Sequence, residues 1–546
     1  MSWWLALVIV LPVGGSVLTS FARGRPGPVV PLGIAAATTA ATVGLTAAYF
    51  TGGTPGGARL AGPAALELTV LADGLAVAML LMTSVTALAV TAFGAVEDRR
   101  APRDRHPGHW PLWFGLWAAL HLLFLAADLL TAYLMFEAVG TAAAVLVVLG
   151  GERRRFLAGT RYLYAELASS VTALLGIALI WREVGDLAYS AIGPALTDAP
   201  AGWWAIGLLT TGLLMKVPLV PLHLWLPSAH SLAPSAVSPM LSGVVVKTAF
   251  VVLVRLWFGG DGEVLTPSAA QLLGGLGVVA IVWGSLAALR ADGVKELIAY
   301  STLAQLGLLF LLPPLVEAGA SNAWTGGLFH AVAHAPAKAA LLLAASVLVA
   351  DAGRSSVEGL IGTAARRPMA TLAIGIAAVS LVGLPPSAGF VGKWFLLLAS
   401  IEVGQWWWVL PNAGGSLLTV AYLMRLIRPA FAPPPARVGP PPARVGPPPG
   451  TSGDSTTPVD TAEASPITSA RDLRDGIALA LAATTLALGL SPAGLLGLLE
   501  AAAPLGTVTV GPVGTLAATA SWLQGLLEIT PVPGLLETTT APGWLA

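Results

Sequence analysis

The chain is a succession of long apolar stretches separated by short polar loops, and this pattern constrains its fold more than any other feature. A helix that spans a bilayer needs about 20 predominantly apolar residues. Of the 546 residues, 56% are hydrophobic and only 10% are charged, whereas a soluble globular domain carries about 25% charged residues. The sequence therefore predicts an all-α polytopic membrane protein.

The apolar stretches predict about 14 transmembrane helices. Their approximate bounds are 3–20, 28–50, 72–96, 111–127, 129–149, 157–181, 203–226, 236–258, 268–289, 296–315, 324–350, 369–403, 406–428 and 477–499. The first stretch follows no basic segment of the kind that opens a signal peptide, so we interpret it as a retained span.

The distribution of Lys and Arg predicts how these helices are oriented. Loops after odd-numbered spans carry 20 basic residues, whereas loops after even-numbered spans carry 3. Basic residues favour the cytoplasmic side of a membrane. The odd-numbered loops are therefore predicted to be cytoplasmic, and both termini are predicted to lie outside a bacterial cell membrane.

Two of the predicted spans contain helix-breaking sequences. Prolines cluster at 217–234 in span seven and at 383–389 in span twelve, and proline removes a helical hydrogen bond and clashes with the preceding turn. Broken helices at membrane depth line cavities or lie within protein. Because breaks in matching halves are typical of transporters, we predict two inverted five-helix repeats at about 111–258 and 268–428, with helices 7 and 12 broken.

The same pattern divides the chain into segments of different character. The predicted segments are helices 1 and 2 at 1–70, a helical core at 71–430, a Pro-rich cytoplasmic linker at 431–476, a last helix at 477–500 and an external tail at 501–546. The linker contains the heptapeptide ARVGPPP twice, a composition typical of extended or disordered chain. A fifteenth span at about 507–528 is an alternative for part of the tail.

Charged side chains inside the apolar stretches are the main indication of function. Lys216, Lys247, Lys338 and Lys393 lie within segments that are otherwise almost wholly apolar. A charge near the middle of a bilayer costs at least about 2.5–3.5 kcal/mol. Residues retained at this cost ordinarily mark an ion or proton pathway, so we predict a proton relay through the membrane.

Glu137 is predicted to pair with Lys216. Glu137 lies about 9 residues into span five and Lys216 about 13 residues into span seven, which places both near mid-membrane at about 1.5 Å per residue. Each charge then stabilises the other, and separation of the pair favours release of the lysine proton. A static buried ion pair is the alternative. Glu166 in span six is a candidate for an additional partner.

Two histidines and a lysine share one face of span eleven. His330, His334 and Lys338 follow i, i+4, i+8 spacing, so their side chains lie along one stripe of the helix. Three titratable groups in this arrangement favour a proton relay over isolated core residues. A metal site is the competing hypothesis, but two histidines and a lysine without an acidic ligand make a poor site.

Lys247 and Lys393 complete the predicted relay. Lys247 has no acidic partner in its own helix, and we expect it to share its proton with water and histidine. A packing lysine bonded to backbone carbonyls is the alternative interpretation. Lys393 follows the second break and is the predicted exit of the relay.

Other polar residues receive less specific interpretations. His223 and His230 flank the first break, where they line a cytoplasmic entry or satisfy freed carbonyls. Asp73 and Asp128 lie near span ends and are interpreted as capping or interfacial residues. A solvated loop is predicted at 292–296.

Composition excludes several classes of function. The chain has no cysteine, which excludes a disulfide framework and cysteine-ligated iron–sulfur or zinc sites. Its net charge is zero, so no nucleic-acid partner is indicated. No nucleotide motif or catalytic triad is visible. We therefore predict no cofactor and no metal, and any redox reaction that the protein serves must take place in other subunits.

Five segments carry a resemblance to one family of membrane proteins. They are 215–230 (MKVPLVPLHLWLPSAH), 242–247 (SGVVVK), 297–307 (LIAYSTLAQLG), 330–338 (HAVAHAPAK) and 383–393 (GLPPSAGFVGK). Together they resemble the antiporter-like subunits of respiratory complex I (NADH–quinone oxidoreductase), the D-type subunits of Mrp cation/proton antiporters, and subunits of membrane-bound hydrogenases. The resemblance covers about residues 70–430.

The resemblance implies a proton route and a setting for it. The family's route maps onto Glu137, Lys216, Lys247 and Lys393. It implies a proton-translocating subunit without a redox centre, which works in the lipid bilayer beside other membrane subunits of a complex I-like or Mrp-like assembly and moves protons, with Na⁺ as a further candidate ion. A stand-alone monovalent cation/proton antiporter and a non-pumping scaffold subunit are the alternatives.

Three features depart from the family pattern. Pro336 lies between His334 and Lys338, where it is expected to kink the helix. The segment 136–140 is less bulky than usual, and the Pro-rich linker is not a family feature.

Overall fold

The computed structural model describes residues 2–21, 27–52, 56–61, 67–100, 106–149, 151–196, 201–259, 264–433 and 466–503. Most of the predicted linker and nearly all of the predicted tail, including the alternative span at 507–528, lie outside the described residues. Within the described residues the chain is almost entirely helical.

A short hairpin follows the first two helices. The elements are α1 (Ser2–Ser20), α2 (Val29–Gly52), the antiparallel strands β1 (Gly56–Ala61) and β2 (Glu67–Ala72), and α3 (Gly74–Arg100). This hairpin is an addition to the predicted all-α fold. The segment 67–72 combines Thr and Val, which fit strands, and the Thr69 carbonyl accepts a 3.0 Å hydrogen bond from the Ala127 amide.

The first predicted repeat contains eight helical segments. They are α4 (His109–Leu125), α5 (Leu129–Val148), α6 (Arg153–Val184), α7 (Tyr189–Leu196), α8 (Gly202–Lys216), α9 (Leu226–Leu232), α10 (Ser238–Met240) and α11 (Val246–Phe258). A π-helical segment, Leu241–Val245, joins α10 to α11.

The second predicted repeat contains eight α-helices, together with two short 3₁₀ segments, Glu358–Leu360 and Trp406–Trp408. The α-helices are α12 (Pro267–Arg290), α13 (Val294–Leu309), α14 (Leu312–Glu317), α15 (Ser321–Ala352), α16 (Thr363–Arg366), α17 (Pro368–Val382), α18 (Ala388–Glu402) and α19 (Val409–Phe431). Two helices follow the linker, α20 (Pro466–Leu490) and α21 (Ala493–Glu500). Helix α20 begins inside the segment that was predicted to be linker.

Every predicted span coincides with one or more of these helices. Ten helices among the described residues are long and apolar enough to cross a membrane, and α4 and α17 are shorter apolar helices. Spans seven and twelve are divided into short helices at their breaks. The protein is therefore a predominantly helical, polytopic membrane protein, and the total of fourteen crossings stays a prediction.

Three helical regions form the buried centre. The apolar windows of Ser238–Phe258, Val294–Glu317 and Ser321–Ala352 are each 94% buried, against 33% for the window in Arg153–Val184. The longest of them, α15, packs against α13, α17, α18 and α20. Polar side chains on these central helices therefore lie within protein, as charged groups at membrane depth require.

Glycines bring α6 and α8 into close contact. A Cβ atom on Gly176 would lie 2.6 Å from the backbone nitrogen of Leu209, and one on Gly212 would lie 2.6 Å from that of Ala173. Small residues at such crossings let membrane helices approach through their backbones. This contact positions the side chains of α6 against the C-terminal end of α8.

The predicted orientation is testable because the chain has no native cysteine. We expect Ser452→Cys, in the predicted cytoplasmic linker, to stay unlabelled when an impermeant maleimide is added to intact cells and to react after permeabilisation. Ser268→Cys, at the exposed start of α12, is the external control and should react in intact cells. Labelling of Ser452→Cys from outside would contradict the topology.

Candidate functional site

Both helix breaks occur where the prolines predict them. Helix α8 ends at Lys216 and α9 begins at Leu226, while α17 ends at Val382 and α18 begins at Ala388. The last carbonyls of a helix have no intrahelical donor, and they attract donors and positive charge. A lysine lies beside each break.

At the first break a neutral side chain satisfies one of these carbonyls. The Trp225 indole nitrogen donates a 3.0 Å hydrogen bond to the Met215 carbonyl. The ammonium of Lys216 bonds side chains of α6 instead.

Lys216 belongs to a group of four side chains, which we call the Lys216 cluster. Its ammonium forms a salt bridge with Glu166 on α6 and donates a 3.1 Å hydrogen bond to the Ser170 hydroxyl. Ser170 in turn donates to Glu137 on α5. The predicted direct pair of Glu137 and Lys216 is therefore wrong, because α6 contacts both α5 and α8 and inserts its own carboxylate and hydroxyl.

The Lys216 cluster is largely buried. The side chains of Lys216 and Glu166 are 5% and 13% exposed. The ammonium lies 5.4 Å from the centroid of the Phe136 ring, within the range of cation–π attraction. Gly140 leaves room for Glu166, since a Cβ atom there would lie 2.9 Å from the Glu166 Oε2 atom. The glycine at position 140 thus allows a second carboxylate to enter.

Lys247 is fully buried, with 0% of its surface exposed. Its ammonium donates to the Gly243 carbonyl in the π-helical segment, and within the described residues it forms no salt bridge. Segments of π-helix are frequent at functional sites. Lys247 therefore differs from Lys216 in having a neutral partner.

Lys338 is held by α13. It donates to the Ser301 hydroxyl and, over 3.1 Å, to the Ile298 carbonyl. The neighbouring Thr302 shares a 2.7 Å hydrogen bond with Ser242, which ties α13 to the π-helical segment. Sequence reasoning missed Ser301, because a serine in an apolar helix carries no signal that separates it from a packing residue.

His330 and His334 lie in the buried interior of α15. Their ring centroids are 6.3 Å apart, and Pro336 lies inside the same continuous helix. In the part of the chain that the structure describes, neither nitrogen of the His334 ring has a hydrogen-bond partner, and the His330 ring lies against the Gln305 backbone. Imidazoles bind and release protons near neutral pH, so their burial beside lysines makes them candidates for a proton relay.

His330, His334 and Lys338 form what we call the α15 stripe, which lies near lysines of two other helices. His334 interacts electrostatically with Lys247, Lys338 and Lys393. Close packing brings α18 to this stripe, since a Cβ atom on Gly392 would lie 2.7 Å from the backbone nitrogen of His330. The structure therefore brings together residues that the sequence placed on separate spans.

Lys393 caps the second break. Its ammonium donates hydrogen bonds to the carbonyls of Leu381 (2.9 Å) and Val382 (3.0 Å) and to the Ser416 hydroxyl (3.1 Å). The helix dipole favours a cation at a helix C-terminus. Hydrogen bonds to neutral groups hold this lysine, in contrast to Lys216.

His230 lies between the first break and the centre. Its ring stacks on Trp225 with centroids 6.4 Å apart, and it interacts electrostatically with Lys338. Neither of its nitrogens bonds a carbonyl among the described residues. His223 accepts a 3.2 Å hydrogen bond from the Trp283 indole. Both interpretations offered for His223 and His230 stay predictions.

Asp73 and Asp128 cap helices, as predicted. Asp73 accepts a 2.7 Å hydrogen bond from the Ala76 amide at the start of α3, and Asp128 accepts one of 2.7 Å from the Thr131 amide at the start of α5. Sequence reasoning missed the buried Arg255, whose two terminal nitrogens each lie 2.8 Å from an oxygen of Asp73. This ion pair ties α3 to α11 and lies outside the predicted relay.

The predicted solvated loop at 292–296 is partly wrong. The side chain of Asp292 is 96% exposed, but the Lys295 ammonium donates a 2.9 Å hydrogen bond to the Ala233 carbonyl just beyond α9. The reason is that α13 already begins at Val294 and directs Lys295 against α9.

The arrangement offers proton donors and acceptors in succession. Carboxylates, ammonium groups, imidazoles and hydroxyls follow one another from α5 to α18. No group of three or more His, Asp or Glu side chains in the described ranges is placed to hold a metal ion. The chemistry that these groups share is the binding and release of protons.

Comparisons with known proteins agree with this architecture. Residues 126–419 match the family model described as NADH:quinone oxidoreductase/Mrp antiporter, transmembrane. NADH-quinone oxidoreductase subunit N of Desulforudis audaxviator is 31% identical over 374 residues, which are 68% of this chain and 73% of that protein.

Two solved structures share the fold. A chain of the Mrp complex from Dietzia sp. DQ12-45-1b matches with a TM-score of 0.76 and 23% identity, covering 95% of this chain and 100% of that chain. A chain of respiratory complex I from Thermus thermophilus matches with a TM-score of 0.72 and 22% identity, covering 91% and 98%. The fold is therefore antiporter-like, and because the family match spans more than half of the sequence, the chain belongs to the NADH:quinone oxidoreductase/Mrp antiporter membrane family.

Proposed function

We propose that the protein is the proton-translocating membrane subunit of a complex I-like or Mrp-like multisubunit assembly in a bacterial cell membrane. In this proposal it crosses the membrane fourteen times and contains two inverted five-helix repeats. Relatives named as subunit N of NADH-quinone oxidoreductase and as part of an Mrp complex support such an assembly.

The row of buried titratable side chains carries the proposal. Its members are the Lys216 cluster, Lys247, the α15 stripe and Lys393, and their lysines and histidines are buried. Titratable groups at membrane depth are costly and rare unless they serve a pathway for charge. We infer that protons pass along this row through the buried centre of the protein, between the two helix breaks.

The lysines of the row differ in the partners of their ammonium groups, and this difference suggests different roles in proton transfer. Lys216 has a carboxylate partner that stabilises its positive charge. Lys247, Lys338 and Lys393 bond carbonyls and hydroxyls among the described residues. A buried ammonium without a counter-ion is costly, so these three hold a proton transiently and pass it on.

Lys247→Ala tests the proposal. It removes the fully buried lysine that lies within electrostatic range of His334 and bonds only a carbonyl. We expect proton translocation to fall severalfold, because the remaining groups must bridge a longer gap. The measurement is the quenching of a pH-sensitive dye by vesicles that carry the whole assembled complex, normalised to subunit content.

Arg182→Ala is the control, since the Arg182 side chain is 65% exposed at the end of α6, and it should translocate protons at the normal rate. Normal translocation by Lys247→Ala would instead support the non-pumping scaffold. Cation-driven proton exchange by the purified chain alone would support the stand-alone antiporter.

A further inference from the structure

Glu166 is the direct ionic partner of Lys216, although the residues implied by the family resemblance do not include it. The carboxylate binds the lysine ammonium and belongs to α6, the helix that packs against α8 at the glycine crossing. Its side chain is 13% exposed. A half-buried carboxylate that touches the proton-carrying lysine changes the order of groups at the first break.

Ser170 connects this ion pair to the other carboxylate. It follows Glu166 by four residues on α6, so both side chains share one face of the helix. The hydroxyl accepts a hydrogen bond from Lys216 and donates one to Glu137. Glu137 therefore reaches Lys216 through a hydroxyl, while Glu166 reaches it directly.

We propose that Glu166 is the fixed counter-ion of Lys216 and that Glu137 exchanges protons with this lysine through Ser170. The inference rests on the proposed function and adds a residue to it. Glu166 acts by positioning the ammonium and stabilising its charge, whereas Glu137 changes its protonation state during transport.

The proton balance of this step is simple. When protonated Glu137 gives its proton to the Ser170 oxygen, the serine hydroxyl proton passes to the Lys216 nitrogen. Glu137 becomes a carboxylate, Lys216 becomes an ammonium and Ser170 is unchanged. The Ser170 hydroxyl lies between the Lys216 ammonium and the Glu137 carboxylate, as this transfer requires.

The charges of the cluster favour different tasks for the two carboxylates. With Lys216 protonated, ionised Glu166 neutralises it, so a charge on Glu137 as well leaves one negative charge in excess. An unpaired charge at membrane depth is costly. Glu137 is therefore the group that takes up the next proton, while the Glu166 salt bridge persists.

Gly140 supplies the space that this arrangement needs. A Cβ atom at position 140 would lie 2.9 Å from the Glu166 Oε2 atom and 3.3 Å from its carboxyl carbon. Position 140 therefore points at the place where the carboxylate binds. A carboxylate attached there can replace that of Glu166 if position 166 is shortened.

This geometry provides a test by relocation. We expect Glu166→Gln to lower proton translocation by the whole complex severalfold or more, because the isosteric amide cannot neutralise Lys216. The double variant Gly140→Asp/Glu166→Ala should restore a substantial part of the rate. Its matched control, Gly140→Asn/Glu166→Ala, has the same shape without the charge and should stay defective. If Glu166 had only a structural role, Asp and Asn at position 140 would restore proton translocation equally.

The hydroxyl bridge is tested separately. Ser170→Ala should slow translocation by interrupting the link to Glu137, and Ser170→Thr, which keeps the hydroxyl, should preserve most of it. Translocation is measured in complex-bearing vesicles and normalised to subunit content.

Glu183→Gln is the control on the same helix, because Glu183 pairs with the exposed Arg182 at the end of α6; it should behave as the wild type. Normal translocation by Glu166→Gln, or equal rescue by Asp and Asn, would overturn this inference. It would leave the proposed function intact as long as Lys247→Ala is defective. If Lys247→Ala also translocates normally, the proposed function itself fails.

Discussion

Lys216→Arg should reduce proton translocation to background, although the protein still inserts and assembles. Arginine keeps the positive charge, so it can pair with Glu166 and remain near the ring of Phe136. Its guanidinium does not release a proton at working pH. The variant therefore separates the charge of this residue from its ability to exchange a proton.

The expected loss of proton translocation is large because the substitution removes a proton donor and acceptor from a proposed relay whose groups act in series. Positioned acid–base groups contribute roughly a hundredfold or more to the rate of proton transfer. Proton uptake into vesicles that carry the whole complex is the measurement, with membrane abundance and assembly checked in the same preparation.

Lys295→Arg is the matched control for this substitution. Lys295 donates to the Ala233 carbonyl and lies outside the row, so an arginine that caps the same carbonyl should leave translocation unchanged. If Lys216→Arg pumps as well as Lys295→Arg, then Lys216 is a structural charge and the relay through the first break is wrong.

The sequence predicts the helices and their breaks well for definite physical reasons. An apolar stretch in a bilayer has almost no alternative to a helix, and prolines at 217–234 and 383–389 remove the hydrogen bonds that would continue it. The hairpin at 56–72 was missed because a short strand pair beside a long apolar stretch produces no comparable signal. The start of α20 was misplaced because its first residues, 466–476, are polar and resemble the linker that precedes them.

The members of the relay could be predicted, but not their partners. A lysine within an apolar helix is easily recognised in the sequence, because a charged side chain at membrane depth is costly and rare without a function. Whether Lys216 meets Glu137 or Glu166 depends on how three helices rotate about their axes, and depth alone does not fix that rotation. The close approach at Gly176 and Gly212 brings α6 against α8, and this contact selects Glu166.

Hydroxyl groups form the second class of missed residues. Ser170 and Ser301 each touch a lysine of the row, yet serine is common in membrane helices and bonds its own backbone in many of them. Ser400, for example, donates to the Leu396 carbonyl four residues earlier. Only the structure separates a serine that bridges two titratable groups from one that satisfies its own helix.

The largest effect on folding is expected from Gly389→Ala at the second break. A Cβ atom at this position would overlap the Ser380 carbonyl oxygen and would lie 2.8 Å from the carbonyl carbon. Both are backbone atoms of α17, which cannot rotate away, so α17 and α18 would have to separate. That movement would also withdraw the Lys393 ammonium from the carbonyls of Leu381 and Val382.

Overpacking of this kind typically costs about 1–3 kcal/mol, and we expect Gly389→Ala to lower both the abundance of the protein in the membrane and its heat stability in detergent. Gly375→Ala is the matched control, because a Cβ atom there has no neighbour within 4 Å and alanine is the better helix former. The control should be at least as stable as the wild type. Equal abundance and heat stability of the two variants would mean that α17 and α18 do not cross at Gly389. The capping role assigned to Lys393 depends on this crossing and would then be wrong as well.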